Sequence, residues 1–147
     1  MNQQSLLAFV DSDVIISSLL SDQGAAYALL HQLSQPSLLI SNFSERELAI
    51  VIARLNIASE KLDSLISNHF RTVALNQNLA TIKQRYAEFV TDINDAHVVA
   101  GAHLTHSRFL ISYNLKDYQI GNIRAELNVV VLTPAMFLQY LRNQKEI

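Results

Sequence analysis

The sequence predicts an α/β fold built as one domain, and three observations carry that prediction. Short apolar runs alternate with amphipathic stretches along the chain. Half of the 147 residues are hydrophobic and 16% are charged, which is enough to bury a real core and too apolar for a disordered or nucleic-acid-coating chain. With three glycines, two prolines and no low-complexity tract or internal repeat, nothing divides residues 1–147 into smaller units.

The elements follow in order. Leu6-Leu7-Ala8-Phe9-Val10 is a buried strand running to about residue 11, and Val14, Ile15, Leu19 and Leu20 belong to the helix after it. Ser21-Asp22-Gln23-Gly24 makes a turn, and the following helix runs from Ala25 to Leu33, where Gln35-Pro36 stops it. Ser37 to Ile40 is a short strand. Ser44 caps the next helix with Glu47 as its capping-box partner, and Leu48, Val51, Ile52 and Leu55 form its apolar stripe. Ser59 to His69 reads as a helix, Thr72 to Leu75 as a strand closed by Asn76-Gln77-Asn78, and Thr81 to Val90 as another helix. Asn94 caps a helix carrying Val98, Val99 and Ala102. Arg108 to Ser112 is a strand, Asn114 to Tyr118 a polar turn, and Val129 to Leu132 a strand. Thr133 then caps the last helix, with Pro134 at its first position.

Composition bounds the function. The chain has no cysteine, so a disulfide framework and a thiolate metal site are excluded; a reducing compartment is permitted, and a cytoplasmic location is expected. Met1 to Ser5 carries no basic region, and Asp11 breaks the apolar run before it reaches the length of a membrane segment, so no membrane association is expected. A net charge of −2 means that binding to a polyanion must come from a local basic patch or from metal ions.

The acids are the informative residues. Asp11 and Asp13 interrupt a strand that is otherwise buried, and in open parallel sheets ligands bind at the carboxyl ends of the strands. Glu47 lies early in the helix after the second strand, Asp92 and Asp95 at the start of the central helix, and Asn114 and Asp117 just after the Arg108–Ser112 strand. Right-handed crossovers bring such positions to one edge. Carboxylates gathered there repel one another unless a divalent cation compensates, and an all-oxygen donor set favours Mg²⁺ or Mn²⁺ over zinc. Each residue also has a structural reading: Asp11, Asp13 and Asp92 as helix caps, Glu47 in a capping box, and Asp117 as a turn acid. His103 and His106 are three apart on one helix but lack an acidic companion, which makes them surface histidines. Lys116, Arg46, Arg54 and Arg108 are candidate phosphate contacts against a background of ordinary solvated charge.

Four segments together resemble a known family: Val10-Asp11-Ser12-Asp13-Val14-Ile15, Ser41 through Glu47-Leu48, Asp92-Ile93-Asn94-Asp95-Ala96-His97, and Ile111-Ser112-Tyr113-Asn114-Leu115-Lys116-Asp117-Tyr118. The chain is similar to PIN domains, and Val131-Leu132-Thr133-Pro134 resembles the end of the same family. The resemblance implies a three-layer α/β/α fold with a mainly parallel central sheet flanked by helices. It further implies an Mg²⁺- or Mn²⁺-dependent endoribonuclease, the toxin of a toxin–antitoxin pair. Asp11, Glu47 and Asp95 match the family's metal-binding acids and Asp92 an accessory acid. Asn114 stands where many members carry aspartate, with Asp117 three residues on as the compensating acid. Ser112, Ser12 and Asp13 are placed to support the ligands, and His97 to orient or pack. The family's usual partners are an RNA substrate, a second copy in a homodimer and a small antitoxin. Two alternatives stand beside this. One is a PIN-like domain with a weakened metal site that binds RNA or protein. The other is a haloacid dehalogenase-like phosphatase with Asp11 as nucleophile, which lacks here the later lysine and distal acid pair it requires.

Overall fold

The computed structural model describes residues 6–31 and 37–145. Thirteen regular elements can be named within them: β1 (Leu7–Val10), α1 (Ser12–Leu20), α2 (Ala25–Leu30), β2 (Ser37–Ser41), α3 (Asn42–Arg54), α4 (Ser59–His69), β3 (Phe70–Val73), α5 (Leu79–Tyr86), α6 (Ala96–Leu104), β4 (Phe109–Ile111), α7 (Ile120–Leu127), β5 (Val130–Leu132) and α8 (Pro134–Lys145). The expected end of the second helix at Leu33, with its Gln35-Pro36 stop, lies outside the described residues.

All strand pairs are parallel and the sheet order is β3-β2-β1-β4-β5. Because side chains alternate along a strand, Ala8, Val10, Leu38, Ile40, Phe109 and Ile111 face one core with Val14 and Ile15 of α1, Leu29 of α2, Leu48 of α3, Leu62 of α4 and Phe137 of α8. Phe9, Leu39, Leu110 and Val131 face the other, against Ile82 of α5, Val99 of α6 and Ile123 of α7. The sheet is therefore covered on both faces, which explains why its strands read as continuous apolar runs. Gly101 lets α6 lie directly on β1, since a Cβ there would stand 2.2 Å from the ring of Phe9. Among the described residues no helix is long and apolar enough to cross a membrane.

The order of the strands positions the site. The chain builds outward from β1 through β2 to β3, then returns to the opposite side of β1 to place β4 and β5. The direction reverses between β1 and β4, and a crevice opens where the two strands deliver their carboxyl ends. Asp11 N donates to the Ile111 carbonyl at 2.9 Å across that point.

Several expected boundaries move for local reasons. Ser41, not Ser44, caps α3: β2 runs straight into the helix, and Ser44 N donates to Ser41 Oγ at 3.3 Å. The Ser44–Glu47 capping box is therefore absent and Glu47 is free for other partners. Asp92, not Asn94, does the capping before α6, through Asn94 N to Asp92 Oδ1 at 3.0 Å, and a single 3₁₀ turn over Ile93–Asp95 precedes the helix. Strand β3 occupies Phe70–Val73 in place of 72–75 because Phe70 pairs beside Leu38 on the edge of the sheet. Helix α5 starts early, capped by Asn78, and gives way after Tyr86 to a 3₁₀ turn. Helix α7 has no counterpart among the sequence expectations. Its first turn lacks a side-chain cap, and Ile123 is its one buried residue. Thr133 caps α8 as expected, accepting from Met136 N at 3.1 Å.

Candidate active site

Asp11 ends β1 and caps α1 in the same stroke, which buries it to 8% exposure. Its Oδ1 accepts from Ser12 N at 2.8 Å, while Oδ2 accepts from the Tyr118 hydroxyl at 2.6 Å and from Ser112 Oγ at 2.9 Å. Burial pushes this carboxyl above its usual range, with Glu47 adding to the rise, against the lowering effect of the hydroxyls. Helix capping and site chemistry are thus not competing readings of Asp11, because one residue serves both.

Asp13 organises the loop after β4. Its Oδ2 accepts from Tyr113 N and from Asn114 Nδ2, each at 3.1 Å, and from Ser112 Oγ at 3.3 Å. Burial and the neighbouring Asp11 raise its carboxyl to about 7. Its Oδ1 is buried with no hydrogen-bond partner. Ser112, fully buried, links the two aspartates and also accepts from Asn114 N at 3.1 Å.

Glu47 projects from α3 toward both α1 and α6. Ser12 Oγ donates to its Oε1 at 2.7 Å, and His97 Nε2 lies 3.6 Å from its Oε2. The His97 imidazole, opposed by burial and helped by Ser12, holds this carboxyl below the usual range. Asp95 stands at the start of α6, half-buried, and is raised to about 6 by burial and then by Asp11, Asp92, Asp117 and Glu47. Those four acids come from four separate segments, so the rise in Asp95 records their convergence in space.

A cavity of about 580 Å³ is lined on one side by Asp11, Asp13, Glu47, Asp95, Asn114 and Asp117, and on another by Ile16, Leu20 and Val51. The structure brings together every residue expected to ligate or catalyse. Asp92 stays outside the cavity as an exposed cap, and Ser112 sits beneath it. Tyr118, inside what read as a polar turn, was the residue missed; the aromatic hydroxyl closing an Asn-Leu-Lys-Asp run was the available signal. A larger depression of about 660 Å³ between β4, β5 and α8 is lined by no carboxylate. Arg108 belongs there, at the amino end of β4 over the rings of Phe109 and Tyr140, which removes it from the acidic edge. His103 is held by the Tyr86 hydroxyl through Nδ1 at 2.7 Å and His106 is exposed, so neither joins the site.

The donor chemistry suits a hard divalent ion: the lone pairs its side chains offer are on oxygen, burial and neighbouring acids raise Asp11, Asp13 and Asp95, and Asp13 Oδ1 is orphaned. Among the described residues, however, no three His, Cys, Asp or Glu side chains are gathered closely enough to hold an ion. Asp11 spends its oxygens on Ser12, Ser112 and Tyr118, and the other acids stand back around a shared space.

No protein-family model and no curated protein matches the sequence. Solved structures do match. A chain of VapBC2 from Rickettsia felis, solved bound to a DNA fragment from the promoter, is 14% identical with a TM-score of 0.65 over 87% of this chain and 98% of that one. A toxin–antitoxin complex from Klebsiella pneumoniae gives 22% identity and a TM-score of 0.61 over 86% and 97%. VapBC-1 from nontypeable Haemophilus influenzae gives 13% and 0.58 over 88% and 99%. At these identities the likeness establishes the fold, the PIN-like three-layer α/β/α arrangement, over nearly the full length of each neighbour.

Proposed function

We propose that the chain is a Mg²⁺- or Mn²⁺-dependent endoribonuclease of the PIN type, acting as the toxin of a toxin–antitoxin pair. One observation carries the reading: Asp11, Glu47, Asp95 and Asp117 arrive from four distant segments at one cavity, placed at the point where the sheet reverses direction. The fold shared with chains of toxin–antitoxin complexes supports the biological half of it.

Asp11, Glu47 and Asp95 would hold the ion, with Asn114 as a neutral oxygen ligand and Asp117 as the additional acid. When bound, the ion lowers the pKa of a water and stabilises charge on the phosphate. The remaining work falls to the chain. Ser12 and His97 fix the two oxygens of Glu47, Tyr118 and Ser112 fix Asp11, and Asp13 fixes the loop that presents Asn114. One of the cavity's carboxylates accepts the proton of the attacking water. Attack on phosphorus by water with the 3′-oxygen as leaving group, the outcome the family resemblance implies, leaves a 5′-phosphate and a 3′-hydroxyl. A homodimer, an antitoxin partner and a cytoplasmic location complete the proposal.

A second reading, a binding module with a weakened metal site, is favoured by the separation of the acids and by Asn114, whose Nδ2 already donates to Asp13. Mn²⁺ titration by calorimetry, combined with cleavage of a structured RNA pool, separates the two. The nuclease requires that Asp11→Asn abolish both signals; cleavage that survives the substitution sinks it, and Mn²⁺ binding without cleavage in the wild type selects the binding module.

A further inference from the structure

Glu47 belongs to two depressions. On one side is the acidic cavity, whose outer wall is the apolar Ile16, Leu20 and Val51. On the other a groove of about 360 Å³ continues between α3, α5 and the start of α6, lined by Phe43, Arg46, Lys83, Asn94 and His97. The two arms differ in charge: the first has no cation, and the second, which also takes in Ile50 and Leu79, carries two cations and an aromatic ring.

We propose that the second groove is a nucleotide subsite for single-stranded RNA, resting on the nuclease reading above. Arg46 and Lys83 contact the phosphate next to the scissile one, and the face made by Phe43 and the Arg46 guanidinium receives a base. A polyanion cannot lie against five acids without compensation, and the chain's net charge of −2 supplies none at long range. A bound ion offsets the acids at the scissile phosphate, the neighbouring phosphate needs a cation of the chain, and this groove adjoins the acids through a shared residue. Arg46 and Lys83 have no ion-pair partner among the described residues, so their charge is available to a ligand. Arg46 already lies 5.3 Å from the centroid of the Phe43 ring, and Phe43 is half-buried and 6.2 Å, centroid to centroid, from His97. Aromatic and guanidinium planes beside phosphate-binding cations are how unpaired bases are held, whereas an acidic peptide would use the cations and leave the ring idle.

The test is fluorescence anisotropy on a labelled 12-nucleotide single-stranded RNA of mixed sequence, with EDTA present, titrated at several salt concentrations. The doubly substituted Arg46→Ala/Lys83→Ala protein is compared with a charge-matched Lys61→Ala/Arg71→Ala control. The groove variant alone should bind more weakly, with the slope of log affinity against log salt reduced by about 0.7 for the one phosphate no longer neutralised. Phe43→Leu should weaken binding at least about fivefold with the slope unchanged, which a purely electrostatic site would not do. Wild-type binding that both double variants weaken equally, or that neither changes, overturns the subsite and leaves the nuclease reading intact. Displacement of the RNA by polyglutamate at equal charge overturns it in favour of a general anion site. Wild-type protein that binds no RNA at any salt also overturns the subsite, and the nuclease reading is then decided separately by the Mn²⁺-dependent cleavage assay above.

Discussion

The Tyr118 hydroxyl donates to Asp11 Oδ2 at 2.6 Å, tying the end of the first strand to a turn 107 residues later. Tyr118 is itself buried, and burial together with the nearby Asp11 keeps its hydroxyl protonated far above the normal range. The bond thus has a permanent donor, and Asp11 is oriented by it at any working pH. Tyr118→Phe removes only that hydroxyl. Its loss should cost about 1–3 kcal/mol of unfolding free energy in urea titrations, because a buried carboxylate oxygen loses one of its two donors. A change below about 0.5 kcal/mol would show that water replaces the hydroxyl freely.

Stability of the metal-free protein should fall as pH rises. Asp13 and Asp95 are raised from an ordinary 3.8 to about 7 and about 6, so between these values the native state binds more protons than the unfolded chain. The stabilisation is fully present below 3.8 and is lost as pH climbs through the folded values. Glu47, lowered from 4.5, works in the opposite sense only at the acidic end. His69 and His103, whose imidazoles burial lowers, oppose this below 6.5, so melting temperatures should decline from pH 6.5 to 8, and saturating Mn²⁺ should flatten the decline. A profile that rises over this interval without metal contradicts the acidic cavity as described.

Asn114→Asp should change sign with metal. Without an ion it replaces a donor to Asp13 Oδ2, at 3.1 Å, by a second acceptor, and the protein should melt at a lower temperature than wild type. With Mn²⁺ the added charge should tighten binding, read as a lower calorimetric Kd and a larger metal-induced rise in melting temperature. Equal shifts with and without Mn²⁺ would place Asn114 outside the ligand set.

Gly101→Ala pits two effects of known size against each other. Alanine is worth about 1 kcal/mol over glycine within a helix. The new Cβ would stand 2.2 Å from the Phe9 ring, and overpacking of a buried aromatic typically costs about 1–3 kcal/mol. The clash should win, giving a destabilised protein, and Phe9→Leu in the same chain should recover part of the loss. Double-mutant denaturation measures that coupling.

Much of the site was legible in the sequence because its residues break patterns. Asp11 and Asp13 interrupt an apolar strand, and the remaining acids of the cavity sit at helix starts or in turns where parallel topology delivers them to one edge. Where the reading failed, the competing residue was a near neighbour of the same chemical type. Ser41 and Ser44 are both good caps, and only the direct passage of β2 into α3 selects Ser41. Asp92 and Asn94 are equally suited to cap, and the 3₁₀ turn decides between them. Helix α7 was invisible because its start has no capping side chain and a single residue, Ile123, is buried. Tyr118 could not be seen as a partner of Asp11 because that pairing depends on the return of the chain to the far side of β1.

That return also sets a timetable. Asp11 is synthesised more than a hundred residues before its partners Ser112 and Tyr118. A ribosome that has translated as far as residue 108 holds a first strand with no β4 to pair with and an aspartate with neither of its hydroxyl partners. Competence of the acidic cleft consequently waits until residue 118 has been made. Truncation before residue 118 should leave a fragment with no trace of it, whereas the helices on either side of β2 can already be in place.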